Sequence, residues 1–113
     1  MEKVDGYLMY PKIISSLNLS ANEIKFYIYI LDYVSYYKKC LLNIEMLSFL
    51  CKISKKTIYI LKKKLSLPRD ELGGLSLIRV EERYCENGGR LPDEIFITDL
   101  RKVNQLWIES VIP

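Results

Sequence analysis

The chain has 113 residues, half of them hydrophobic, and a formal charge of +3. That length suits one domain with a modest core, and that apolar content excludes a disordered chain. Three scattered cysteines, no CxxC pair and no histidine exclude a zinc site of ordinary spacing, so the thiols read as those of a protein in a reducing cytosol.

The charge is unevenly spread. Residues 38–65 hold eight lysines against one glutamate, a local +7, while the remainder holds nine basic and thirteen acidic residues, −4. A basic block in an acidic surround points to a polyanion-binding face; the plainer alternative is a solvated helical face. No apolar run is long enough to span a bilayer and the N-terminus lacks a signal-peptide pattern, so a cytoplasmic protein without membrane contact is expected.

In chain order, Pro11 keeps Tyr10 out of a helix, and Ile13, Ile14 and Leu17 suit a short helical turn ended by Asn18. Ser20 and Glu23 form a capping box with Leu19 as its staple, predicting a helix from there to about Tyr37. Its apolar residues make two stripes: Ile24, Tyr27, Ile28, Leu31 and Val34; then Phe26, Ile30, Tyr33 and Tyr37. A helix this apolar is central to the core or half-covered by a partner, which suggests either a homodimer or an N-terminal cover over the second stripe. Tyr27 and Tyr33 read as packing, Tyr29 and Tyr36 as surface.

Residues 38–43 form a connector, and Asn43 can cap the next helix. There Met46, Leu47 and Leu50 are expected on one inner face, with the small Ser48 admitting a close neighbour. After a break at Lys52-Ile53, Ser54 caps a second short helix whose inner stripe is Ile58, Leu61 and Leu65. Two short helices joined by a three- to four-residue turn form a helix-turn-helix. Lys56, Tyr59, Ile60 and Lys63 point away from that stripe, with Lys55 and Lys62 on one flank and Thr57 and Lys64 on the other.

Pro68 and Gly73-Gly74 mark residues 66–76 as a loop with a turn near 69–72. Residues 77–84 alternate as a half-exposed strand, Asn87-Gly88-Gly89 signals a turn, and residues 94–98 return, leaving a long hairpin loop over 85–93. Thr98 or Asp99 can cap a last helix from Leu100 to about Ser110, with Val103, Leu106 and Trp107 on its apolar side as a lid or dimer contact.

Three signatures together resemble the winged helix-turn-helix domains of plasmid and phage replication initiators and of small bacterial regulators. They are Leu19-Ser20-Ala21-Asn22-Glu23-Ile24-Lys25; Met46-Leu47-Ser48 with Ser54-Lys55-Lys56-Thr57-Ile58; and Leu77-Ile78-Arg79-Val80 with Gly88-Gly89 and Ile95-Phe96-Ile97. The likeness covers about residues 8–100. It implies an α+β, mostly α fold: a three-helix core, a β-hairpin wing and a C-terminal helix at 101–113, in one domain over 1–113. It also implies duplex DNA as partner, with helix 54–65 in the major groove and the wing tip on the backbone or minor groove. The DNA-binding residues so implied are Lys52, Ser54, Lys55, Lys56, Thr57, Tyr59, Ile60, Lys63, Lys64 and Arg90.

The sequence departs from the family in three ways. Lys52 stands at a turn position that favours Gly, Lys62 where a core Leu is usual, and loop 66–76 is long. The outer helix face has no Arg, Asn or Gln to read base edges, so modest sequence specificity and strong salt dependence are expected. The leading reading is DNA binding in replication initiation or transcription control. Alternatives are single-strand binding with Tyr59 as a stacking platform, or a protein-interaction module on the same scaffold. An enzyme is not expected, and neither is a cofactor: there is no histidine, no phosphate-cradling glycine motif and no visible base for a Cys or Ser nucleophile. A homodimer through the 20–37 helix or the C-terminal helix completes the expectations.

Overall fold

Caps and breakers set the element boundaries. The structure, a computed structural model, describes residues 10–111 and the backbone of residues 3–4 and 7–8. Strands β1 (Lys3–Val4) and β2 (Tyr7–Leu8) pair antiparallel. After Pro11 a 3₁₀ turn, Lys12–Ser16, buries Ile13 and Ile14, and Asn18 ends it at φ 53°. Helix α1 (Ala21–Tyr37), α2 (Ile44–Cys51) and α3 (Lys55–Leu65) follow, then a second 3₁₀ turn (Asp70–Leu72), the antiparallel hairpin β3 (Ile78–Tyr84) and β4 (Arg90–Ile97), and α4 (Arg101–Val111). The arrangement is α+β, and its helix-helix-hairpin topology fits the winged-helix pattern.

The expected capping box stands at α1. The Glu23 amide donates to Ser20 Oγ at 3.2 Å, and the Ser20 amide donates to Glu23 Oε1 at 3.2 Å. Glu23 is buried and also accepts from Lys64 Nζ at 3.2 Å, joining the start of α1 to the end of α3. Burial raises the Glu23 pKa, but the bonds from Ser20 and Lys64 outweigh it and hold the carboxyl below its ordinary value. A carboxylate that titrates lower when folded stabilises the fold fully above its unfolded pKa and loses that contribution as pH falls through its folded pKa. Glu23→Gln is therefore expected to cost about 1 kcal/mol at neutral pH. That gap to wild type should close below about pH 4. Urea unfolding at pH 7 and pH 3 measures it, and a gap unchanged at pH 3 rules the effect out.

The two stripes expected on α1 are one broad band. Phe26, Tyr27, Ile30 and Leu31 are buried, Val34 and Tyr33 half-buried, and Ile24 is 43% exposed. The true band follows i, i+3, i+4, i+7 from Glu23, and Ile24 lies beyond its edge. Tyr29 is half-buried rather than on the surface, and its ring begins a series with Tyr33 and Tyr37 at centroid spacings of 6.4 and 4.6 Å. The expected N-terminal cover falls partly on residues 1–9, whose side chains lie outside the described residues.

Helix α2 is capped as its sequence suggests: the Met46 amide donates to Asn43 Oδ1 at 2.8 Å. Its inner face differs. Leu47 and Cys51 are buried, whereas Met46 and Leu50 are 44% and 36% exposed. An eight-residue helix presents little more than two turns, and the pair four apart takes the core. The Cys51 thiol is pushed up to about 11 by burial, so it behaves as a small apolar side chain. Ser48 Oγ donates to the Ile53 carbonyl at 2.6 Å, closing the turn, and Lys52 is left-handed at φ 56°, ψ 44°. Lys52→Gly relieves about 1–2 kcal/mol of left-handed strain and costs about 0.4–1 kcal/mol in unfolded-chain entropy. A small net stabilisation is expected in thermal melts; a lower melting temperature would contradict it.

Ile58, Leu61 and Leu65 of α3 are buried as expected and meet the α1 band. The Ile95 amide donates to the Cys40 carbonyl at 2.9 Å, so the 38–43 connector flanks β4. The hairpin loop is shorter than expected, at residues 85–89, because β4 begins at Arg90 and includes Pro92 and Asp93. Opposite Glu82 the strand carries two residues, Pro92 and Asp93, where one would pair. This bulge absorbs the proline, which cannot donate to the ladder. On α4, Trp107 and Val103 are half-buried while Leu106 is 58% exposed, and Asn104 Oδ1 accepts from the Ile13 amide at 2.9 Å. The helix thus lies over the first 3₁₀ turn.

Candidate nucleic-acid interface

The outer face of α3 is set by its inner one. With Ile58, Leu61 and Leu65 buried, the 100° step per residue leaves Lys56, Tyr59, Ile60 and Lys63 facing solvent. Tyr59 is 62% and Ile60 54% exposed. Neither Lys56, Lys63 nor the exposed Lys52 forms an ion pair among the described residues.

The flanking residues have local work. Lys55 lies 3.8 Å from Glu45, and Lys64 reaches Glu23. Both lysine side chains remain more than half exposed; Lys55–Glu45 is a surface pair of the kind that exchanges readily for a stronger anion, whereas the Glu23 partner of Lys64 is buried. Ser54 and Thr57 are occupied in capping: the Thr57 amide donates to Ser54 Oγ at 3.2 Å, and the Ser54 hydroxyl donates to Thr57 Oγ1 at 2.9 Å. The last turn carries Lys62, Lys63 and Lys64, which suits the negative end of the helix dipole.

One solved structure shares this architecture. It is a possible transcriptional regulator from Methanosarcina mazei Go1, with a TM-score of 0.55 and 17% identity over 88% of this chain and 79% of that one. At that identity the likeness is one of fold. No family model matches the chain, and no curated protein matches its sequence.

The wing differs electrically from the helix. Strands β3 and β4 and their loop carry three arginines against five carboxylates. Arg79 pairs with Glu81 at 2.8 Å and lies over the Phe96 ring at 4.2 Å. Arg90, at the start of β4, donates to Asp93 Oδ1 at 2.6 Å and stands 5.4 Å from the Tyr84 ring centroid. The tip turns through Gly88 at φ 86°.

Two residues absent from the expected set join the helix to the wing. Lys62 Nζ donates to Asp93 Oδ2 at 2.8 Å, with side chains only 13% and 11% exposed. Burial pushes the Asp93 carboxyl up, and the bonds from Lys62 and Arg90 bring it down further, below its usual value. A cleft of about 410 Å³ opens beside this pair, bounded by Asn43, Tyr59, Lys62, Arg90 and Pro92. The one signal in the sequence was Lys62 itself, a lysine beside the apolar stripe of α3. Nothing local marked Asp93 as its partner.

A second cavity, about 460 Å³, lies between α1 and the start of α4, lined by Tyr27, Leu31, Thr98, Asp99 and Arg101 among others. Bonds from Arg101 hold Asp99 down at about 2, and the Arg101 amide donates to Asp99 Oδ1 at 3.1 Å as the expected cap. The Tyr27 hydroxyl there is buried without a hydrogen-bond partner among the described residues, and burial pushes it up to about 12. No cluster of three or more metal-ligating side chains occurs among the described residues. Nor is any described helix long and apolar enough to cross a membrane.

Proposed function

We propose that this chain is a winged-helix protein that binds duplex DNA and serves transcription control or replication initiation. Helix α3 lies in the major groove, and the wing touches the backbone or minor groove. The observation that carries this reading is the pair Lys56 and Lys63, exposed on one face of α3 and without acidic partners among the described residues, with Lys52 nearby in chain order at the preceding turn. The likeness in fold to a possible transcriptional regulator supports it. Lysines hold phosphates and read little sequence, and the nearby Tyr59 and Ile60 offer apolar contact to bases, so specificity is modest.

Fluorescence anisotropy with a duplex and a matching single strand, at about 50 and 200 mM salt, tests the reading. The duplex is expected to bind more tightly. Three released counterions would give a log–log salt slope of about −3. A flat slope would reject backbone binding, and stronger single-strand binding would favour stacking on Tyr59.

A second reading, a protein-docking module, draws on the outer face of α2, where Met46, Phe49 and Leu50 are 44%, 75% and 36% exposed. Homodimerisation belongs to the proposal as well; exposed Tyr36 and Tyr37 on α1, and Leu106 and Val111 on α4, support it, and light scattering of the free protein decides it.

A further inference from the structure

The hairpin is anchored at its root and carried outward at its tip. Ile78 and Ile95 are buried in the core, whereas Tyr84 is 54% exposed and residues 86–90 are all exposed. Apolar packing therefore fixes the near end of the wing and does little for the far end. Between them stands the bulge at Pro92-Asp93, three of whose acceptors are engaged. The Pro92 carbonyl accepts from Arg83 at 3.4 Å, Asp93 Oδ2 from Lys62, and Asp93 Oδ1 from Arg90. Lys62–Asp93 is the one ion pair joining α3 to the hairpin among the described residues.

A buried ion pair is weak as a source of net stability, because desolvation of the two ions consumes most of their attraction. It is stronger as a geometric constraint, because Lys62 and Asp93 are mostly shielded from water and displacing either leaves the other charged and poorly solvated. Here the constraint falls between the two elements that the proposed function places on one stretch of duplex. The second oxygen of Asp93 holds Arg90, which is half exposed and therefore able to exchange the carboxylate for a phosphate without exposing Lys62.

We propose that Asp93 is a positioning residue for nucleic-acid contact: through Lys62 it sets the angle of the distal wing to the recognition helix, and it keeps Arg90 in place at the wing until a backbone phosphate takes it. This rests on the duplex-binding reading above. The positioning itself can be measured without DNA.

Three variants separate the possibilities. Asp93→Asn keeps the shape and removes the charge, Asp93→Glu keeps the charge, and Lys62→Met leaves Asp93 with Arg90 alone. Two readouts apply: amide residual dipolar couplings of residues 83–91 against those of α3 in the free protein, and duplex affinity by anisotropy at fixed salt. In wild type the two sets of couplings should fit one alignment frame. In Asp93→Asn and Lys62→Met the distal wing should fall out of that frame, and duplex affinity should drop about tenfold. For Asp93→Asn that drop comes despite the loss of a negative charge. Asp93→Glu should recover most of both. Should Asp93→Asn fail to fold, the couplings of Lys62→Met carry the test, since its affinity falls with the lost charge in either case; unchanged couplings there would overturn the proposal.

The proposal is overturned if Asp93→Asn binds duplex more tightly, as charge alone predicts, with its couplings unchanged. It is also overturned if stability falls while couplings and affinity stay as in wild type, since the pair would then only hold the fold. A wild-type protein that binds no duplex rejects the reading beneath it, a result distinct from wild-type binding with an unmoved wing.

Discussion

Changing Lys56 and Lys63 together to glutamate is expected to lower duplex affinity by about 30- to 100-fold and to flatten the salt slope by about 2. The two residues are exposed on one face of α3 and form no ion pair among the described residues. Each reversal removes one attraction and adds one repulsion of about 1 kcal/mol at contact in water. Salt screens part of that, leaving about 2–3 kcal/mol in all. Because both side chains are exposed, the thermal midpoint should move by the equivalent of less than about 0.5 kcal/mol. Anisotropy titrations at three salt concentrations, run beside a melt, check both halves. Unchanged affinity in a protein that melts normally would place the binding surface elsewhere, with the exposed face of α2 the next to examine.

Ile58→Ala is expected to destabilise the fold by about 2–4 kcal/mol. Ile58 is fully buried, one turn inside α3, against the core that also holds Leu47, Phe26 and Leu61. Its truncation removes the methyl groups that seat α3, and a domain of this size commonly has only about 5–15 kcal/mol in total. A fall of more than about 10 °C in melting temperature should follow. Ile60→Ala, two residues on and 54% exposed, should cost less than about 0.5 kcal/mol. Urea denaturation of the pair measures the rotational phase of α3 directly. Equal losses would mean that α3 turns a different face to the core.

That phase was legible in the sequence because Ile58, Leu61 and Leu65 recur at helical spacing and are flanked by lysines. The same reasoning failed on α2, where Met46 and Leu50 face solvent and Cys51 takes the inner position. An eight-residue helix containing mostly apolar residues has no polar face to mark its phase. On α1 the surplus of apolar residues produced two stripes where packing uses one band, so Ile24 was placed inward and lies half out. The wing loop is shorter than residues 85–93 because β4 starts at Arg90 and a bulge lets Pro92 remain within the strand.

By itself the sequence determined where α1, α2 and α3 begin, since Ser20 with Glu23, Asn43 and Ser54 cap them through bonds to amides three residues on. It also determined that α3 would carry the positive charge, because a lysine run remains on its helix whatever surrounds it. The tertiary structure alone decided which lysines are free. Lys64 meets Glu23 across 41 residues of chain and Lys62 meets Asp93 across 31, while Lys56 and Lys63 meet no acid among the described residues. Caps act over a single turn, so neighbouring letters reveal them. Ion-pair partners are chosen by how distant elements pack, and that distance is closed only by folding.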